Sequence, residues 1–238
     1  MVTKVLKFGG ASLASIGHFE RVADIVAGEK CDELVVVVSA MGDMTDHLFG
    51  LAKAIHDDPP KREQDMLVSV GERISMALLA MALDKRGVKA ISLTGSQSGV
   101  ITCTRHGEAD IVEVRAGRVR RHLEEGNVVI VAGFQGMSEQ REITTLGRGG
   151  SDTTAVALGA ALEAECVTFY KDVGGVYSCD PKRDADARLL KRLSYGEALK
   201  VCEEGGVIHP RAIRLAEKHG IPLKVASFEE GLLGTEIV

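Results

Sequence analysis

At 238 residues the chain has room for one large α/β domain or two lobes sharing a sheet, and 45% hydrophobic with 26% charged residues supports a substantial core. Aromatic residues make up only 4% and there is no Trp, so that core must be built from Val, Leu, Ile and Ala. A net charge of −5 with no basic run speaks against a nucleic-acid partner, and any phosphate ligand must be met by local positive groups.

The five cysteines (Cys31, Cys103, Cys166, Cys179, Cys202) are odd in number and widely spaced, with no C-x-x-C. They fit reduced thiols in a cytosol rather than a disulfide framework or a zinc site. The seven histidines show no ligand spacing, His106 and His209 read as structural, and no resident metal is expected. The sequence enters a strand pattern at once and no apolar run approaches the length of a membrane span, so the expected location is cytoplasmic.

In chain order, residues 2–8 read as a strand broken by Gly9 and Gly10, and residues 16–29 as a helix with Phe19, Val22, Ile25 and Val26 on one face. Residues 33–39 hold four consecutive valines, as a strand buried on both faces should. This order predicts a parallel pair with a right-handed crossover. A helix over 44–55 closes at Pro59-Pro60, and a long helix over 64–86 is interrupted at Gly71 and Glu72. A short strand at 90–93 precedes a β-branched, Gly-containing stretch (95–107) that suggests hairpins at the rim of the sheet. A helix over 118–125, a buried strand over 128–132 and an extended segment over 142–146 follow. Then come a helix over 153–162, a strand over 166–170, a loop over 171–181, helices over 195–203 and 210–219, and a last strand over 223–226. Strands alternate with helices throughout, so the fold class is α/β with a mainly parallel sheet.

The stretch that organises the chain is Thr144-Thr145-Leu146-Gly147-Arg148-Gly149-Gly150-Ser151-Asp152: a strand end, a glycine loop and a helix start. Ser151 and Asp152 suit the N-cap of the following helix. A helix N-terminus attracts anions, and Arg148 adds a planar fork for a carboxylate or phosphate. Taken alone, the same residues also make an ordinary β-turn-α connection. Lys7 ends the first strand beside Gly9 and Gly10, where open α/β sheets bind ligands, but a surface lysine would read the same way. Ser39 and Thr45 flank the end of the second strand as donors to a polar ligand, while Thr45 or Asp43 also suits a helix cap. Glu72 sits mid-helix among apolar residues; buried, it needs a partner such as an ammonium group, and the pattern fits an exposed stripe equally well. The loop from Lys171 through Asp172, Tyr177, Asp180 and Pro181 to Lys182 offers polar edges for a base and a lysine for phosphate.

The segments KFGGAS, VSAMGDMTD, VGERIS, GSQSGVIT, AGFQG, TTLGRGGSDTTAVALGAAL, KDVGGVYSCDPK and IHPRAI stand in the order found in aspartate kinases. The chain therefore resembles the catalytic domain of the aspartokinases, within the amino acid kinase family, over essentially its whole length. The resemblance implies a three-layer α/β/α sandwich, with residues 1–143 as the substrate-side and dimer half and 144–238 as the nucleotide-side half. It implies transfer of the ATP γ-phosphoryl to the β-carboxylate of L-aspartate in a homodimer, with Mg²⁺ carried on the nucleotide. By position, Lys7 would stabilise the phosphoryl in transit and Asp152 would orient Lys7. Arg148 would hold the substrate carboxylate and Glu72 its ammonium, with Ser39, Thr45, Gly149, Gly150 and Ser151 nearby. Lys7, Gly9, Gly10, Lys171, Asp172, Tyr177, Asp180, Pro181 and Lys182 would serve ATP.

Three positions depart from the family pattern. Lys171 stands where a threonine is usual, Gly206 where a lysine is common, and the chain ends at Val238, where regulatory ACT domains would begin. The expectations are that Lys171 supplies the charge missing at Gly206 and that lysine and threonine do not inhibit. Rival readings are a kinase for another small carboxylate, such as an N-acylated glutamate, and a nucleotide-binding sensor or storage subunit without turnover.

Overall fold

The computed structural model describes residues 1–179, 186–203, 206–230 and 233–238. Strand β1 (Thr3–Phe8) leads through a short turn of 3-10 helix into α1 (Ile16–Gly28) and β2 (Glu33–Val38). Ser15 caps α1 by accepting the His18 N–H, and β2 pairs parallel to β1 from Thr3↔Glu33 to Phe8↔Val38. Helices α2 (Met44–Ile55), α3 (Lys61–Val68) and α4 (Val70–Asp84) follow, then β3 (Ala90–Leu93), β4 (Val100–Thr102) and β5 (Ile111–Val114). Helix α5 (Gly117–Glu124) precedes β6 (Val128–Ala132), β7 (Gln135–Ser138) and β8 (Ile143–Thr145). The last part runs α6 (Gly150–Leu162), β9 (Cys166–Lys171), β10 (Arg192–Leu193), α7 (Tyr195–Cys202), α8 (Pro210–His219), β11 (Leu223–Ser227) and β12 (Leu233–Ile237).

Eight strands form the main sheet in the order β10-β12-β11-β9-β1-β2-β6-β3. All neighbours are parallel except β11 and β12. Successive side chains of a strand point to opposite faces, and this alternation builds the two halves of the core. Val5, Val35, Val37 and Phe169 pack under α6 and α8 through Val156, Leu158, Ala212 and Ile213. Leu6, Phe8, Val36 and Val38 pack against α1 and α4 through Phe19, Val22, Leu79 and Leu83. At about 1.5–3 kcal/mol for each fully buried aliphatic side chain, these two layers hold the sheet in place. The result is the expected three-layer α/β/α arrangement. It also fixes a face for the charged residues: Lys7 shares parity with Val5, and Lys171 with Phe169, so both lysines emerge on the α6 side.

The structure corrects the sequence reading in several places. The rim carries a separate four-stranded sheet, β5-β4-β7-β8, in which β7 occupies residues to which the sequence reading gave no element. Strand β12 follows the strand expected to be last and adds an antiparallel member near the sheet edge. The long helix breaks at Ser69, not at Gly71 and Glu72. Lys61–Asp84 does reach the length and composition of a membrane span, against expectation. Here, however, Val68, Leu79, Ala82 and Leu83 are buried in the protein and Glu72 lies near its middle. Finally, α6 begins at Gly150 with Gly149 as its N-cap, so Ser151 and Asp152 lie inside the first turn and do not cap it.

Candidate functional site

The carboxyl ends of β1 and β9 deliver Lys7 and Lys171 to the first turn of α6. Lys7 Nζ lies 2.7 Å from Asp152 Oδ1, and Lys171 Nζ lies 3.6 Å from Asp152 Oδ2. The backbone N–H of His209, the N-cap of α8, donates to the same Oδ2 at 3.3 Å. Burial opposes the charge on Asp152, but Lys7, Lys171 and the His209 N–H outweigh it and hold the carboxyl well below the usual range. Its position in the first turn of a helix favours the same outcome. Burial, with Lys7 close by, pulls Lys171 down to about 8 despite the attraction of Asp152. Burial likewise lowers His209. Two ammonium groups thus share one carboxylate, and the surplus positive charge suits an anion.

A cleft of about 270 Å³ opens beside this cluster, lined by Lys7, Asp152, Ser39, Thr45, Glu72 and Arg148 among others. Glu72 Oε1 accepts from the backbone N–H of Ala40 at 3.1 Å. Its Oε2 is buried without a hydrogen-bond partner among the described residues. Burial raises the Glu72 carboxyl to about 8, since the backbone N–H groups of Glu72 itself and of Ala40, with the charge of Lys7, do not compensate for lost water. A cationic group entering the cleft would supply what Oε2 lacks. Arg148 is exposed, and its guanidinium has no partner among the described residues. It is held out by a loop with positive φ at Gly147 (71°) and Gly149 (73°), which a glycine adopts without strain. At Gly149 a side chain would also collide with the His209 ring.

The structure therefore gathers most of the residues singled out by sequence. Lys7, Gly10, Ser39, Thr45, Glu72, Arg148, Gly149, Gly150, Ser151 and Asp152 line one cleft. Lys7 is 5% exposed and Glu72 2%, which settles both against the surface alternative. Lys171 sits outside the cleft lining, on the second oxygen of Asp152. Gly9 follows Lys7 closely, and a side chain there would meet Lys7 Nζ at 3.5 Å. Asp172 is exposed and Tyr177 half-buried, bridged through its backbone to Leu189, and neither lines the cleft. Asp180, Pro181 and Lys182 lie outside the described residues. Gly206 packs so closely on Cys202 that no side chain fits there.

Sequence reasoning missed the His209 N–H on Asp152, the Ala40 N–H on Glu72 and the cleft contributions of Gly42, Phe134 and Gly147. Backbone groups carry no sequence signal of their own. The IHPRAI segment was the available pointer to His209.

The chain is similar to aspartokinase of Geobacillus stearothermophilus, 53% identical over 236 residues, which are 98% of this chain and 58% of that protein. It spans under three fifths of the length of this and other curated aspartokinases that it matches. Among solved structures, aspartate kinase from Synechocystis is 43% identical with a TM-score of 0.86, covering 100% of this chain and 40% of that one. Escherichia coli aspartokinase III, solved in complex with aspartate and ADP, superposes with a TM-score of 0.90 at 28% identity, over 100% of this chain and 64% of that one. A sequence profile of the amino acid kinase family matches residues 2–227. With that match, a shared fold and a charged cleft at the strand ends, the chain belongs to the amino acid kinase family.

Proposed function

We propose that this chain transfers the γ-phosphoryl group of ATP to the β-carboxylate of L-aspartate, giving L-aspartyl 4-phosphate. One observation carries the reading: a single cleft sets the Lys7–Asp152 pair beside an unpaired Glu72 oxygen and a free Arg148 guanidinium. Glu72 takes the substrate ammonium and Arg148 a carboxylate, which leaves the side-chain carboxylate to face Lys7. Ser39, Thr45, Gly149, Gly150 and Ser151 border the bound amino acid. Similarity to aspartokinases, one of them solved with aspartate and ADP, supports the same substrates.

In the reaction an aspartate oxygen bonds to the γ-phosphorus as the bond to the β-phosphate oxygen breaks, and ADP leaves with that electron pair. A carboxylate is already ionised at neutral pH, so no general base is needed. Catalysis is positioning and neutralisation of charge. Lys7 holds the oxygens of the phosphoryl in transit, and Asp152 fixes the Lys7 ammonium while α6 directs its N-terminal N–H groups at the same region. Lys171, on the other oxygen of Asp152, serves the nucleotide phosphates, with Gly9, Gly10, Asp172, Tyr177, Asp180, Pro181 and Lys182 assigned to the nucleotide by the family pattern. Mg²⁺ fits as a partner of the phosphates, because both Asp152 oxygens are already engaged. There it would neutralise phosphate charge.

Two copies pair in this reading, and the enzyme works in the cytoplasm. Met66, Val70, Ile74 and Met81, exposed at helical spacing along α3 and α4, offer the apolar face for the pairing.

The test is ATP turnover over a panel of carboxylates with hydroxylamine trapping of acyl phosphate. L-aspartate should give the hydroxamate, and N-acetyl-L-aspartate, which has no ammonium for Glu72, should give none. Hydroxamate from an N-acylated substrate alone would favour the rival kinase, and nucleotide binding without any hydroxamate would favour the sensor.

A further inference from the structure

The loop that carries Arg148 is tied down by two charged residues outside the cleft. On one side, buried Asp65 of α3 accepts from Thr145 Oγ1 at 2.5 Å and from the Gly107 N–H at 3.1 Å, and meets His106 Nδ1 at 2.6 Å. On the other side, Arg211 of α8 donates from Nη1 to the Leu146 carbonyl at 2.8 Å. Its Nη2 reaches the Ala109 carbonyl at 2.8 Å and Asp110 Oδ1 at 2.6 Å. Between them the Ala109 N–H donates to the Thr145 carbonyl at 2.8 Å. Segments 106–110 and 145–146 thus run side by side, pinned by a carboxylate at one end and a guanidinium fork at the other.

Leu146 is the last residue before two positive-φ glycines bracket Arg148. Glycines on both sides leave the direction of Arg148 unfixed unless the loop is anchored from outside. Arg211 also sits two residues after His209, whose N–H contacts Asp152. One helical turn therefore touches both the phosphoryl-transfer charges and the substrate loop.

We infer that Arg211, with Asp65 as its counterpart, is a positioning residue that anchors the Leu146–Gly149 loop and so aims Arg148 at the substrate carboxylate. The inference rests on the proposed aspartate reading for its substrate, but the anchoring itself does not. A planar fork satisfies several carbonyl and carboxylate oxygens at once, and a lysine cannot reproduce that.

Two measurements on Arg211→Lys test it. Hydrogen–deuterium exchange should quicken at least several-fold for amides 146–150, while those of β1 and β2 stay unchanged. In hydroxamate assays KM for aspartate should rise about tenfold, as expected for losing a charge-assisted hydrogen bond, with KM for ATP within about twofold. In an Arg148→Lys background, where the aimed group is already impaired, Arg211→Lys should add little to KM for aspartate. Unchanged exchange in the loop overturns the anchoring, whatever the substrate. Faster exchange with equal rises in both KM values, or fully additive effects with Arg148→Lys, overturns the link to Arg148. If the unmodified chain forms no aspartyl hydroxamate, the substrate reading fails instead, and the exchange result alone decides the anchor.

Discussion

Lys7 Nζ stands 2.7 Å from Asp152 Oδ1, with both side chains less than a tenth exposed. A buried pair of this kind costs solvation, and removing one partner leaves the other uncompensated. Lys7→Ala should therefore lower kcat about 10²–10³-fold while the fold survives, because Lys171 still neutralises Asp152. Asp152→Asn strands two ammonium groups and should destabilise the protein by about 3–5 kcal/mol in urea unfolding. Adding Lys171→Met to Asp152→Asn should restore part of that loss. Near-normal turnover in a folded Lys7→Ala variant would remove Lys7 from the phosphoryl path.

Lys171 titrates near 8, so it is charged below that pH and neutral above it. Since kcat/KM reports groups of the free enzyme, kcat/KM for ATP should fall as pH rises through 8. Lys171→Arg keeps its charge and should move that limb upward by more than a pH unit. Lys171→Thr should raise KM for ATP several-fold at pH 7. An unchanged profile in both variants would separate Lys171 from the nucleotide. The reciprocal substitution at Gly206 is a poor probe, because a side chain there collides with Cys202.

Glu72 gives the opposite limb. Burial raises its carboxyl to about 8, so at pH 6 it is protonated and must lose that proton to pair with an ammonium. KM for aspartate should fall by about tenfold per pH unit between 6 and 7 and level off above 8. Glu72→Gln should bind aspartate weakly at every pH, with that slope gone. The same raised value makes Glu72 favour the folded state most below its unfolded pKa, and that contribution is lost as pH rises through 8. A slope that persists in Glu72→Gln would assign it to another group.

Gly149 has a positive φ of 73° and abuts the His209 ring. Gly149→Ala adds a strained backbone and a collision, so it should push His209 away from Asp152 and lower kcat/KM by at least tenfold. Gly196→Ala, at a position with open space around it, should leave activity within about twofold. Equal behaviour of the two variants would show that the loop tolerates a side chain.

Much of this architecture was legible because the strongest signals are periodic. The valine run of β2 and the Phe19, Val22, Val26 face of α1 mark buried elements directly. Lys7 and Asp152 were legible beside glycines at a strand end and a helix start, but their pairing followed only from the family resemblance, and the approach of Lys171 to Asp152 had no signal. Strand β7 was not, since Gln135-Gly136-Met137-Ser138 has neither branched residues nor alternation and is extended only because β4 and β8 flank it. The break at Ser69 escaped for a similar reason, because Ser69 is compatible with a helix and its hydroxyl donates to the Met66 carbonyl only in the folded turn. Asp65 and Arg211 carry no spacing signal, because their partners are side chains, carbonyls and amides from distant segments.

Helix α6 is buried along nearly its whole length, including Asp152 and the run from Thr153 to Gly159. The residue that organises the charges is therefore set in the spine of the molecule, with sheet on one side and α8 on the other. Heat cannot loosen this part of the site while leaving the rest standing, so catalytic competence and the folded state should vanish together in one cooperative transition.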